Sequence, residues 1–214
     1  MSRIAVIGGH GKVALHLSRI LSGRGHQVSS LIRNPDHRAD VEATGAEPVV
    51  ADVESLDAGQ LAEVLRGHDA VVWSAGAGGG SPERTYAVDR DAAIVSMDAA
   101  RQAGITRYVM VSYFGAATDH GVPEDNPFFA YAEAKAAADE NLRGTALEWT
   151  VLGPSGLTDD PSTGRIDTQA GESSRVSRED VALVVAEALE QPATVRRTIR
   201  FNNGSTPIGD ALTR

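Results

Sequence analysis

The sequence predicts an α/β domain built on a doubly wound, mostly parallel sheet, and three observations predict it. Short apolar, β-branched runs alternate with helix-period stretches at steady spacing from Arg3 to Phe201, the pattern of parallel strands joined by right-handed helical crossovers. The 214 residues, 42% of them hydrophobic, suffice for one well-cored unit, and neither a linker nor an internal repeat divides the chain. The third observation is the N-terminal stretch, in which an apolar run meets a glycine turn and then an amphipathic helix.

That stretch organises the rest. Arg3 to Ile7 reads as a strand that stops at Gly8. Gly8, Gly11 and Ala14 follow three apart, and Val13, Leu15, Leu17, Ile20 and Leu21 carry helical spacing to Gly23. Gly8 permits a tight turn, Gly11 lets backbone approach a pyrophosphate, and Ala14 lets the helix pack close on the sheet. The helix N-terminus offers unpaired N–H groups and a positive dipole end to phosphate. Gly8, His10, Gly11, Lys12 and Val13 are therefore candidate nucleotide contacts; Lys12 reads equally well as an exposed lysine.

The remaining elements follow in order. Residues 27–32 form a second strand ending in Arg33-Asn34-Pro35-Asp36, and 48–50 a third, closed by Asp52. A helix over 56–65 leads to a fourth strand, 70–73, and a glycine-rich run, 74–80. Val88, Ala92, Val95 and Ala99 mark an alanine-rich helix over 85–103, ended by Gly104. The fifth strand, 108–111, runs into Ser112-Tyr113-Phe114-Gly115, and a polar loop to Pro127 precedes a helix over 128–142. The sixth strand is 147–152. From 153 to 177 the chain is rich in Gly, Ser, Thr and Asp, with Ile166 the single strand hint, and this stretch reads as a small substrate-side segment. Ser177 caps a helix over 178–190 with Asp180 in its first turn, and 198–201 is a last strand.

Composition excludes several classes. The net charge of −9 argues against a nucleic-acid partner. No cysteine is present, so disulfides, thiolate nucleophiles and zinc–thiolate sites are excluded. No apolar run approaches the roughly 18 residues of a membrane span, and no leader precedes the first strand, so a cytoplasmic chain without membrane contact is expected. The six histidines lack paired ligand spacing, and no metal is expected. Asp159, Asp160 and Asp167 read as a solvated loop, and Ser155 stands outside any GxSxG elbow.

In such sheets ligands bind outside the carboxyl ends of the strands, and every strand end here carries something usable. Arg33, where many dinucleotide sites place an acid, suits a 2′-phosphate, so NADP(H) is expected over NAD(H); a solvated Arg at a strand end is the alternative. Tyr131 and Lys135 lie four apart on one helix face. An ammonium beside a phenol is expected to lower a pKa that starts near 10, making Tyr131 a proton donor to a carbonyl oxygen, with Ser112 hydrogen-bonding that oxygen. Tyr113, Phe114, Phe128 and Phe129 flank this place as an apolar wall or as core.

With these residues in view the chain resembles the atypical, NAD(P)H-binding short-chain dehydrogenases/reductases, which include flavin and biliverdin reductases and NmrA-like redox sensors. The resemblance is carried by Ile4–Ala14, Leu31–Pro35, Ala51–Val53, Val111-Ser112, Tyr131–Lys135, Trp149–Thr158 and Ser177–Ala182. It implies a single-domain Rossmann fold over 1–214. Asp52 and Val53 would meet the adenine, Ala75, Gly76 and Ala77 the nicotinamide ribose side, Lys135 that ribose, and Pro154 and Ser155 the nicotinamide by backbone. Two positions depart from the pattern: Gly153 stands where relatives often carry Arg, and Asp89 where classical members carry a relay Asn.

The expected activity is an NADP(H)-dependent reductase of a small carbonyl or a planar conjugated, quinone- or flavin-like substrate, with Tyr131, Lys135 and Ser112 as catalytic set. The alternative is a nucleotide-binding redox sensor with little turnover; epimerase chemistry would need a larger substrate module. A monomer or a homodimer paired through the helix over 85–103 is expected.

Overall fold

A computed structural model of the chain describes residues 1–79 and 81–213; Gly80, the last of the glycine run, lies outside them. The elements β1 (Arg3–Ile7), α1 (Lys12–Gly23), β2 (Gln27–Ile32), α2 (Arg38–Glu42) and β3 (Glu47–Val50) open the chain. Next come α3 (Ala58–Leu65) and β4 (Ala70–Trp73), then α4 (Pro82–Thr85), a π-helical stretch (Tyr86–Ala92) and α5 (Ala93–Gln102) without interruption. The order continues β5 (Arg107–Val111), α6 (Phe129–Arg143), β6 (Glu148–Pro154), β7 (Gly156–Thr158), β8 (Arg165–Asp167) and β9 (Arg175–Ser177). Finally come α7 (Arg178–Glu190), β10 (Arg197–Asn203), β11 (Thr206–Pro207) and α8 (Ile208–Leu212).

Nine strands make one sheet in the order β11-β8-β10-β6-β5-β4-β1-β2-β3, and β7 pairs β9 in a separate ribbon. The pairs from β3 to β10 are parallel; β8 runs antiparallel to β10 and to β11. The strand order reverses between β1 and β4, which opens the crevice of a doubly wound sheet.

The central strands are apolar on both faces because both are covered. Val6, Val72 and Val109 pack under Leu17 and Leu21 of α1 and Val181, Val184 and Val185 of α7. Their alternate neighbours Ile7, Trp73 and Met110 pack under Leu61 and Leu65 of α3, Met97 of α5 and Leu142 of α6. Successive side chains of a strand point to opposite faces, so a parallel sheet clad twice reads as a continuous apolar run. Each fully buried aliphatic contributes about 1.5–3 kcal/mol.

The expected elements appear with shifted ends, and two regions differ. The helix expected from residue 85 begins at Pro82, where Ser81 Oγ accepts from Arg84 N, and its middle, Tyr86–Ala92, is π-helical. The segment 153–177, expected to carry one strand hint, holds the end of β6 and three three-residue strands, β7, β8 and β9. Such strands are too short for a period to emerge, and tertiary pairing creates them: β8 is held by Asn202 and Asn203 of β10. At the chain's end, β11 and α8 also escape sequence reading for want of length.

Asp180 ties this segment down. Ser177 Oγ accepts from Asp180 N at 3.0 Å, the expected helix cap. The buried Asp180 carboxylate meanwhile accepts from Thr163 N, Gly164 N, Thr163 Oγ1 and Ser177 Oγ. Replacing it would leave two loop amides without an acceptor. Asp180→Ala is therefore expected to destabilise the fold by about 3 kcal/mol in denaturant unfolding, and a loss below about 0.5 kcal/mol would contradict this role.

Candidate functional site

The β1–α1 turn has a shape only small residues allow. Gly8 adopts φ +84°, and a Cβ there would lie 2.5 Å from Ala75 Cα; a Cβ on Gly9 would lie 2.6 Å from Ser30 Cβ. Gly11 differs, because its backbone is extended (φ −61°, ψ 147°) and any residue could adopt it. A side chain there would instead project from a wall that two cavities share. Asp57, with Gln60, closes a capping box at α3 and Ser177 caps α7, but no side chain caps α1. The first amides of α1 thus lack a side-chain acceptor at a Gly-lined opening, the arrangement that suits a pyrophosphate.

The smaller cavity, about 300 Å³, is lined by Gly8, His10, Arg33, Asp52, Val53 and Glu54, among others. His10 stacks on His37, ring centroids 3.5 Å apart, and its Nε2 lies 2.8 Å from Asp40 Oδ2. Arg33 Nη1 donates to Glu54 Oε1 at 2.6 Å, and Arg84 Nη2 approaches the same oxygen at 3.3 Å. Arg84 Nη1 also donates to Ala77 O at 2.6 Å. Two guanidiniums thus face one carboxylate. Neither Glu54 nor Arg84 was signalled by the sequence; chain folding brings them together across 30 residues.

The larger cavity, about 860 Å³, joins the smaller at Gly11, Ser74, Ala75 and Gly76. Lys12, Val13, Ala77, Asp89, Ser112, Tyr131 and Lys135 line it, with Phe128 and Leu157 as apolar wall. The structure therefore gathers the expected catalytic set with the expected ribose-side residues. Pro154 and Ser155 line neither cavity. Pro154 O accepts from Phe114 N at 2.8 Å and Ser155 N donates to Phe201 O at 3.1 Å. Of the aromatics, Phe128 lines the cavity and packs edge-on against Tyr113, Phe129 packs on His120, and Phe114 is buried.

Two electrostatic details correct the expectations. The Tyr131 phenol is held above its ordinary pKa, first by burial and then by the carboxyl of Asp89, the Tyr113 phenol and the carboxyl of Asp139. Lys135 does not offset this: its Nζ donates to Val111 O at 3.0 Å and rests 3.5 Å from Met110 Sδ. Burial also lowers the Lys135 pKa, while Asp139 and Asp89 hold it up. Ser112, expected to donate toward substrate, instead donates to Asp139 Oδ2 at 2.6 Å, while Asp139 Oδ1 is buried without a partner.

Asp139 was missed by the sequence reading, although it stands four residues beyond Lys135 and so continues the Tyr131–Lys135 face. Asp89 lies in the π-helical stretch, a local geometry frequent at functional sites. Its Oδ2 accepts from Ala77 N at 3.0 Å, and a Cβ on Gly76 would approach its Oδ1 to 3.1 Å. Burial raises the pKa of both acids.

A model of the NAD(P)H-binding family matches residues 8–192. The chain belongs to the NAD(P)H-binding family. The match spans the glycine turn, both cavities and α7, as the motif resemblance implied. Among relatives, the chain is 32% identical over 214 residues to the uncharacterized sugar epimerase YhfK of Bacillus subtilis, covering 98% of each. A solved structure from Bacillus halodurans, assigned as an NAD-dependent epimerase/dehydratase, superposes with a TM-score of 0.91 at 31% identity over 99% of both chains. The oxidoreductase ylbE of Lactococcus lactis superposes with a TM-score of 0.88 at 27% identity, over 98% of this chain and 94% of that one. Among the described residues no cluster of three or more His, Asp or Glu is placed to hold a metal, and no helix is long and apolar enough to cross a membrane.

The raised pKa of Asp139 has a consequence for stability. A carboxyl whose folded pKa lies above its unfolded one favours the folded state most at low pH, and that contribution is lost as pH rises through the folded value. Asp139→Asn is expected to flatten this part of the wild-type decline as pH rises above the ordinary carboxylate value of about 4. Urea unfolding across that range checks it; identical slopes would remove Asp139 as a titrating group.

Proposed function

We propose that the chain is an NADP(H)-dependent oxidoreductase that reduces a small carbonyl or a planar conjugated substrate. The observation that supports it most is convergence: Tyr131, Lys135 and Ser112 line the same cavity as Gly11, Lys12 and Ala75 to Ala77. The uncapped α1 amides and Gly11 would take the pyrophosphate, and the smaller cavity the adenosine half. When bound, the nicotinamide would supply hydride; the protein's part is to hold the acceptor and move the proton.

Tyr131 suits that part as an acid. A phenol is already protonated at neutral pH, and its raised pKa makes Tyr131 a weaker acid, so proton transfer relies on the acceptor oxygen gaining negative charge as hydride arrives. Lys135, buried beside it, would carry positive charge toward the ribose and the developing oxyanion. Ser112 can donate to the same oxygen only if Asp139 holds the proton between them, and the raised Asp139 pKa favours that state. Phe128 and Tyr131, with centroids 5.1 Å apart and Tyr113 packed against both, offer an aromatic wall to a flat substrate.

NADP(H) preference rests on Arg33 and Arg84, two planar forks at one cavity, a donor set that matches a 2′-phosphate. Glu54 orders both guanidiniums and would have to release one of them. Relatives carry epimerase assignments, one of them for sugars. Between β6 and α7, however, this chain places three three-residue strands rather than a sugar-sized module, which favours a compact acceptor. The redox-sensor alternative draws on the Ser112 proton pointing to Asp139 instead of the cavity.

Paired titrations test the nucleotide. NADPH is expected to bind more tightly than NADH, and Arg33→Ala to weaken NADPH by about 10-fold or more while leaving NADH within about 2-fold. Equal effects on both nucleotides would remove the 2′-phosphate from Arg33. A screen of carbonyls, quinones and flavins then tests turnover. With an accepted substrate, Tyr131→Phe should retain NADPH affinity and lose about 100-fold or more in kcat. The wild-type reduction rate should show no loss from phenol ionisation until pH exceeds about 10. Unchanged turnover in Tyr131→Phe sinks Tyr131 as the acid, and nucleotide binding with no turnover of any acceptor favours the sensor.

A further inference from the structure

Asp139 and Asp180 are both fully buried, and the fold treats them in opposite ways. Asp180 accepts from two loop amides and two hydroxyls. Among the described residues Asp139 accepts from one group, Ser112 Oγ, at 2.6 Å, and its Oδ1 is buried without a partner. The cations nearest to it on α6 are bonded elsewhere. Lys135 Nζ donates to Val111 O. Arg143 Nη1 donates to Glu140 Oε2 at 3.1 Å, and its Nε reaches Thr198 Oγ1 at 3.5 Å.

Three phenols also face this carboxyl: Tyr108 from β5, its hydroxyl bonded to Ser96 Oγ, Tyr113 from the loop after β5, and Tyr131 from α6. Among the described residues neither the cations nor the phenols donate a hydrogen bond to it. A buried carboxylate with a single donor is poorly solvated, so this pocket favours the neutral acid. Burial raises the Asp139 pKa accordingly, against the pull of Lys135, Ser112 and Arg143.

The proton on Asp139 decides which way Ser112 points. A carboxylate accepts only, so the Ser112 O–H donates to it. A carboxylic acid instead donates its own proton to Ser112 Oγ, and the Ser112 O–H turns to another acceptor. The larger cavity, which Ser112 lines with Tyr131 and Lys135, is the open side for that turn.

We propose that Asp139 is a positioning residue that switches the Ser112 hydroxyl between an inward, idle direction and an outward one that meets the acceptor oxygen. The switch rests on the reductase reading above and gives that site a regulation: it is on while Asp139 is neutral and off once Asp139 ionises. Ser112 keeps its proton throughout and acts as a hydrogen-bond donor; Tyr131 remains the group that transfers one. The reduction rate therefore falls as pH rises through the folded Asp139 value, which lies above the ordinary carboxylate value of about 4.

Two measurements test this on wild type, Asp139→Asn, Asp139→Ala and Ser112→Ala, with thermal unfolding to check that each is folded. The first is kcat against pH for NADPH-dependent reduction of menadione, a two-ring quinone. Wild type is expected to lose about 10-fold or more as Asp139 ionises. The Asp139→Asn amide can donate to Ser112 Oγ as the neutral acid does, so this variant should hold the acid-side rate within about 3-fold across the range. Asp139→Ala should be slower at every pH. A rate in Asp139→Asn as low as in Asp139→Ala, or an unchanged alkaline fall, overturns the switch. The second is an infrared titration of the carboxylic acid C=O band that Asp139→Asn removes. Because Ser112 donates to the ionised form, Ser112→Ala should move the band's midpoint up by about one pH unit. A midpoint that does not move overturns the switch as well. If wild type reduces no acceptor, the reductase reading falls alone, and the infrared midpoints still judge the switch.

Discussion

The site depends on one close approach, that of Gly8 to the backbone of Ala75. With φ at +84° and room for no Cβ within 2.5 Å of Ala75 Cα, the turn after β1 folds directly over the exit of β4. This places the start of α1 at the reversal of strand order, where the crevice of a doubly wound sheet lies. Gly9 against Ser30 does the same on the β2 side. The two cavities then share Gly11, Ser74, Ala75 and Gly76 as common wall. A dinucleotide needs such a shared wall, because its two halves leave one pyrophosphate in opposite directions.

Around that crevice the protein collects charge in places where burial makes it expensive. Lys135 and Asp139 lie one turn apart on α6, both almost wholly removed from water, and Asp89 faces them from the π-helical stretch. Desolvation pushes each toward its neutral form, while their mutual attraction pulls both toward the ionised state. A packed fold without chemical need would replace such groups by apolar residues at little or no loss. They lie instead in and beside the cavity that Tyr131 and Ser112 line, Asp139 accepting from Ser112 Oγ.

The fold was largely legible because both helix-clad faces demand apolar residues at every position of the central strands, and the helices repeat their buried stripes at 3.6 residues. β1, β2, β4 and α7 stand where the sequence puts them. What escaped is short: α2, β7, β9, β11 and α8 each span five residues or fewer, too few for a period, and they exist because neighbours pair or cover them. The site was legible by the same division. Gly8, Gly11, Tyr131 and Lys135 are spaced along single elements, whereas the Arg33–Glu54–Arg84 group joins residues with no sequence relation.

By itself the sequence determined the α/β class and the helix face that carries Tyr131 and Lys135, because these follow from local spacing and the turn chemistry of glycine, while the family came from the resemblance of its motifs. Only the tertiary structure decided where protons and charges stand. It turned the Ser112 hydroxyl onto Asp139, raised the Tyr131 phenol's pKa, set Glu54 between two arginines and drew Pro154 and Ser155 into sheet hydrogen bonds. The physical reason is range. Backbone preference and hydrophobic period act within a few residues of chain, but the protonation state and direction of a side chain depend on burial and on partners that folding brings from elsewhere.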